Sequence, residues 1–151
     1  MLYPEDETGR ENLIRVYGDF YHLNKQAVRI LQPYTREIKL EDLSWALLQL
    51  GYDPVILNSD AYVDSNSLDD KEHLKQQIRR THTQAVSSHD FSPFMSMACH
   101  DLKIPYVAWI YDSPQQSLYD DAVQYPENYI FSFDRKQYER LRNMGILHCY
   151  H

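Results

Sequence analysis

Glycine is scarce in this chain: Gly9, Gly18, Gly51 and Gly145 are the only four among 151 residues. They form neither G-x-G-x-x-G nor a P-loop, which argues against a dinucleotide or nucleoside triphosphate held by a glycine-rich turn. G-x-S-x-G is missing, removing the usual α/β-hydrolase nucleophile, and so is the helical zinc pair H-E-x-x-H. Cysteine is equally sparse. Cys99 and Cys149 stand far apart with no C-x-x-C spacing, and such isolated cysteines read as buried small hydrophobes rather than a disulfide or metal pair. No run of roughly 18 apolar residues could span a bilayer and no apolar h-region follows Met1, so the default is a cytoplasmic protein without a membrane span. Positive charge is short as well: 15 Lys and Arg face 22 Asp and Glu, and the net charge of -7 argues against nucleic acid or an anionic membrane as main partner.

What is present describes a folded single domain. With 43% hydrophobic and 25% charged residues, disorder is a poor description of the whole. Thirteen tyrosines and two tryptophans suit stacking on sugars or bases, although core positions account for most such residues. Residues 1–11 (MLYPEDETGRE) are polar and acidic and read as a flexible segment ahead of one domain over 12–151.

Strand and helix patterns then alternate. Leu13 to Tyr17 reads as a strand ending at Gly18 and Asp19, and Asn24 to Gln32 as a short helix stopped by Pro33. Leu40, Leu43, Leu47 and Leu50 have helical spacing, closed by Gly51 and followed by the strand Val55 to Leu57. Ala61 to Asp70 reads as a loop, and Leu68 to Arg80 as a helix with Leu74 and Ile78 on its apolar stripe. Gln84 to Ser88 predicts a strand, His89 to Pro93 a turn, and Phe94, Ala98 and Leu102 one helical face. Val107 to Ile110 are consecutive apolar residues, the pattern of a strand covered on both faces. Gln115 to Val123 predicts a brief helix and Tyr129 to Phe133 a strand. Asp134 and Gln137 have capping-box spacing ahead of Tyr138 and Leu141, Gly145 ends that helix, and Ile146 to Tyr150 is the last strand. The whole predicts an α/β, Rossmann-like, doubly wound and mainly parallel sheet of about five to six strands with helices on both faces. A chain that stops on a strand reads as truncated before a second domain.

Polar groups gather at the predicted strand ends: Asp19 after the first strand, His89 and Asp90 after the third, Asp112 and Ser113 after the fourth. In open α/β sheets the carboxyl ends of the strands line the ligand crevice. Asp-Ser-Pro is also strong turn chemistry, so Asp112 either caps a turn or serves a site. His89 is either a turn residue or a general base near neutrality. N-capping explains Asp134 fully. His148, Cys149 and His151 alternate along a strand and make a poor metal set. A phosphate-receiver reading is weak, because the third strand ends Ser87-Ser88-His89 and no lysine stands on the late strand.

These residues also support a resemblance. AVSSHDFSPFMSMACHDLKIPYVAWIYDSP, SLYDDAVQYPENYIFSFDR and GILHCYH, within Ala85 to His151, resemble the N-terminal domain of DUF3880-type bacterial glycosyltransferase-like proteins, related to the spore-maturation CgeB-like proteins. The carrying motifs are His89-Asp90-Phe91-Ser92-Pro93, Trp109 to Pro114, Leu118-Tyr119, and Asn128 to Asp134. The resemblance implies a GT-B architecture in which this chain is the acceptor half, with most of the nucleotide-sugar site on a second domain and little turnover without it. It implies Asp112 or His89 as the base, Asp90, Phe91, Tyr111, Ser113 and Asp19 as substrate-binding, and neither a cofactor nor a metal requirement. The implied partners are a glycan or other hydroxyl acceptor and a C-terminal GT-B domain. A homodimer through the open sheet edge, or a non-catalytic module binding a glycan or protein, is the alternative.

Overall fold

The computed structural model describes residues 28–34, 40–58 and 67–151. Among them are six strands and four helices: β1 (Arg29–Tyr34), α1 (Leu40–Gln49), β2 (Asp53–Asn58), α2 (Leu68–Arg80), β3 (Ala85–His89), α3 (Pro93–Leu102), β4 (Tyr106–Ile110), β5 (Asn128–Ser132), α4 (Arg135–Asn143) and β6 (Cys149–Tyr150). Two 3-10 turns, Gln116–Tyr119 and Asp121–Gln124, stand where a brief helix is expected. Every strand pairing is parallel, in the order β2-β1-β3-β4-β5-β6, so the expected Rossmann-like α/β architecture is present. The predicted strand Leu13–Tyr17, with Gly18 and Asp19, lies outside the described residues.

The first described strand corrects the sequence reading. Residues 29–32, expected in a helix stopped by Pro33, pair instead with β2 along the full length of β1. Pro33 is compatible because the β1–β3 pairing consists of Ile30↔Ala85 and Leu31↔Val86 and ends before it.

Right-handed crossovers put α1 on one face of the sheet and the later helices on the other. Side chains agree with this. Ser44 of α1 donates to Gln32 at 2.5 Å on the first face. Leu31 heads the opposite row, through Val86 and Tyr106 to Asn128, and that face meets α2, α3 and α4 in one core containing Leu74, Ile78, Ala98, Ile130 and Leu141. Burying one such side chain contributes about 1.5–3 kcal/mol.

The helix ends follow from local chemistry. In α3, Ser92 Oγ accepts from the Met95 amide and Pro93 takes the first turn, where a missing N–H costs nothing. In α4, Asp134 Oδ1 accepts from the Lys136 and Gln137 amides at 2.8 and 3.4 Å. Gln137 does not close a capping box: its side chain accepts from Ser132 Oγ at 2.8 Å, tying α4 to β5. Gly51 and Gly145 terminate α1 and α4 at φ +84° and +81°, the left-handed region that glycine enters without strain.

Candidate functional site

Strand β4 alternates in burial: Tyr106, Ala108 and Ile110 are buried, Val107 is half-buried, and Trp109 is 41% exposed. The expectation of cover on both faces is therefore corrected. The apolar run does not distinguish the two faces, whereas the described helices lie on only one of them at this point. The pairing His89↔Trp109↔Phe131↔Tyr150 sets one residue from each of β3 to β6 in a single row on the open face. Trp109 stacks on Phe131 with centroids 4.6 Å apart, and Phe131 on Tyr150 at 4.9 Å. A second row brings Tyr129 and His148 together, stacked at 4.2 Å. Sequence reasoning missed this wall, although aromatic residues at every second position, Tyr129, Phe131 and Phe133, were a usable signal.

Towards the carboxyl edge the wall opens into a cavity of about 610 Å³, lined by Trp109, Ile110, Tyr111, Phe131, Ser132, Phe133 and His151. Tyr111 and Phe133 are 70% and 65% exposed and form its outer rim. The surface is apolar and aromatic, suited to a ring with an apolar face.

The predicted polar residues meet at the same edge. His89 is the last residue of β3 rather than part of a turn, and its ring meets Tyr111 edge-on with centroids 5.6 Å apart. Burial pushes its pKa below the ordinary histidine value, with neighbouring Asp90 opposing, so the imidazole is neutral at neutral pH and able to accept a proton. Asp90 adopts φ +55° and its Oδ1 accepts from the backbone amides of Tyr111 and Asp112 at 2.7 and 3.1 Å. Asp112 itself is exposed, immediately beyond the end of β4.

Two candidates are committed elsewhere. Phe91 is only 3% exposed and packs on Tyr106 in the core, while its backbone amide and carbonyl bond to the Gln115 side chain. The Ser113 hydroxyl donates to Asp134 Oδ2, and this bond, ahead of the Lys136 amide, holds the Asp134 carboxyl below its ordinary value. Asp19 lies outside the described residues.

Beside Ser113 is a second cavity of about 280 Å³, where the Arg140 guanidinium lies 3.9 Å above the Tyr119 ring. Cys99 and Cys149 are buried and unpaired with each other, and burial pushes both thiols upward in pKa. Cys149 is buried while His148 and His151 are not, and no group of three or more His, Cys, Asp or Glu side chains converges among the described residues. No helix among the described residues is long and apolar enough to cross a membrane. No protein-family model and no curated protein matches this chain, so the geometry of the β3–β5 edge is what bears on its chemistry.

Proposed function

We propose that this domain is the acceptor side of a GT-B-like sugar-transfer enzyme, with a glycan or another hydroxyl compound bound along the carboxyl edge of β3, β4 and β5. One observation carries the reading: an exposed carboxylate, Asp112, follows directly on Tyr111 just past β4, and Tyr111 with Trp109 of β4 lines the aromatic cavity. A sugar ring presents C–H groups on one face and hydroxyls at its rim, matching an aromatic wall whose Tyr111 meets the His89 ring edge-on and precedes the exposed Asp112 in the chain. The resemblance of residues 85–150 to DUF3880-type proteins supports the same assignment.

In this reading Asp112 accepts the proton of the acceptor hydroxyl as its oxygen forms the bond to the donor's anomeric carbon. The electron pair of the breaking glycosidic bond leaves with the nucleoside diphosphate. Neutral His89 orients the hydroxyl or takes the proton in place of Asp112. Donor binding belongs to a second domain.

Ligand-observed NMR against methyl glycosides, UDP, UDP-sugars and GDP-sugars tests the proposal. Glycoside signals respond and nucleotide signals do not, and Asp112→Asn and His89→Ala each weaken glycoside binding by about tenfold. Tight nucleotide binding would put the donor site here and overturn the assignment of halves.

The row of Trp109, Phe131 and Tyr150, exposed at both ends and half-buried at Phe131, favours a second reading, an assembly module that docks this face on a protein, a second copy of this chain included. Self-association in sedimentation that disappears in Phe131→Ser, with no glycoside binding, would select it.

A further inference from the structure

Asp90 reads from sequence as a substrate contact, but its bonds point elsewhere. The β3–β4 register runs to His89↔Trp109, and beyond it the Asp90 amide donates to the Trp109 carbonyl at 2.7 Å. The side chain then reaches two residues further. Its Oδ1 takes the Tyr111 and Asp112 amides, continuing the ladder with a carboxylate where backbone pairing has stopped. Two amides on one charged oxygen are stronger contacts than neutral hydrogen bonds.

The anchor of this arrangement is buried. The Ser92 amide donates to the fully buried Tyr106 hydroxyl at 2.9 Å, which lies 2.6 Å from Ser88 Oγ, and Ser88 Oγ is 2.9 Å from the Asp90 carbonyl. The Tyr106 hydroxyl also reaches the Asp90 carbonyl at 3.4 Å, so one of the two hydroxyls donates to the other and the second donates to Asp90. This relay holds Asp90 at φ +55°, a region that asparagine, aspartate and glycine enter more readily than other residues.

We infer that Asp90 is a positioning residue: its carboxylate fixes the exit of β4 and thereby aims Tyr111 and Asp112 at the acceptor, an inference that rests on the acceptor reading above. Two substitutions separate its contributions. Asp90→Gly keeps the left-handed backbone and deletes the acceptor oxygen, whereas Asp90→Asn keeps an acceptor oxygen and removes the charge.

The test records amide NMR spectra and methyl glycoside affinities for the full chain and both variants. In Asp90→Gly the Tyr111 and Asp112 amide protons move upfield and exchange faster, and glycoside affinity falls about tenfold. Asp90→Asn restores both to near the wild-type values. Unmoved amides in Asp90→Gly overturn the inference. So does lost glycoside binding with unmoved amides, since Asp90 would then touch the ligand itself. In the unmutated chain, a coupling across the hydrogen bond from the Tyr111 amide nitrogen to the Asp90 carboxyl carbon decides the contact whatever the variants do. If the unmutated chain binds no glycoside, the acceptor reading falls, and the amide signals still uphold or overturn the hold on the strand exit.

Discussion

Asp53 is fully buried at the start of β2, and neither carboxylate oxygen has a hydrogen-bond partner among the described residues. The Arg29 guanidinium lies 3.5 Å away and also donates to the Thr81 carbonyl. Burial raises the Asp53 pKa above its ordinary 3.8, and Arg29 offsets part of that rise. The folded state therefore binds more protons than the unfolded chain between the two values, so this group's contribution to stability falls as pH rises through that interval. Asp134 has the opposite sign, because its pKa is lowered: its contribution is present at higher pH and is lost on acidification. Urea unfolding at a series of pH values resolves the two. Asp53→Asn gains stability relative to the wild type as pH rises from acid towards neutrality. A difference that does not vary with pH would remove Asp53 from this role.

At the scale of elements, Asn128 joins α3, the second 3-10 turn and the start of β5. Its Nδ2 donates to the Ala122 and Val123 carbonyls at 2.7 and 3.2 Å, and its Oδ1 accepts from Ser96 Oγ at 2.7 Å. Asn128→Ala breaks three buried hydrogen bonds and costs about 2–3 kcal/mol, read from urea unfolding; a cost under about 0.5 kcal/mol would mean the turn is held otherwise. Most elements announce themselves locally. Ser92-Pro93 starts α3, Asp134 starts α4, and Gly145 ends it, each through bonds within a few residues. Arg29–Tyr34 does not, because Ile30 and Leu31 are too short an apolar run to separate strand from helix, and Pro33, which would stop a helix, is carried within the strand by its pairing with β2 alone. The sidedness of β4 depends on which helices cross it, a property of topology rather than of VAWI. Asp90 is the extreme case. The amides it holds lie 21 and 22 residues away, and no local pattern encodes them. His89 and Asp112 were legible as strand-end residues, whereas Phe91, in the same motif as His89, turns inward.

For the whole molecule, strand order divides the sheet unequally. From β3 to β6 each strand lies beside the one before it, joined by short crossovers and a shared core. β1 and β2 pair along six residues with each other, but β1 meets β3 through only two register pairs. Beyond these pairs, Arg29 spans the seam to Gln84 and Thr81, and Leu31 enters the common core. Among the described residues the seam has fewer register pairs than β1–β2 on one side or β3–β4 on the other, and the short edge strand β6 also pairs through two. Native-state hydrogen exchange is expected to reveal a β1–α1–β2 unit that opens at lower free energy than β3–β6, with Leu31 and Val55 amides exchanging together before those of Ala108 and Ile130. A single exchange free energy for all six strands would contradict this. In refolding, the same narrow seam and the short-range crossovers of β3–β6 are expected to make that block the template, assembled before β1 finds its place between β2 and β3.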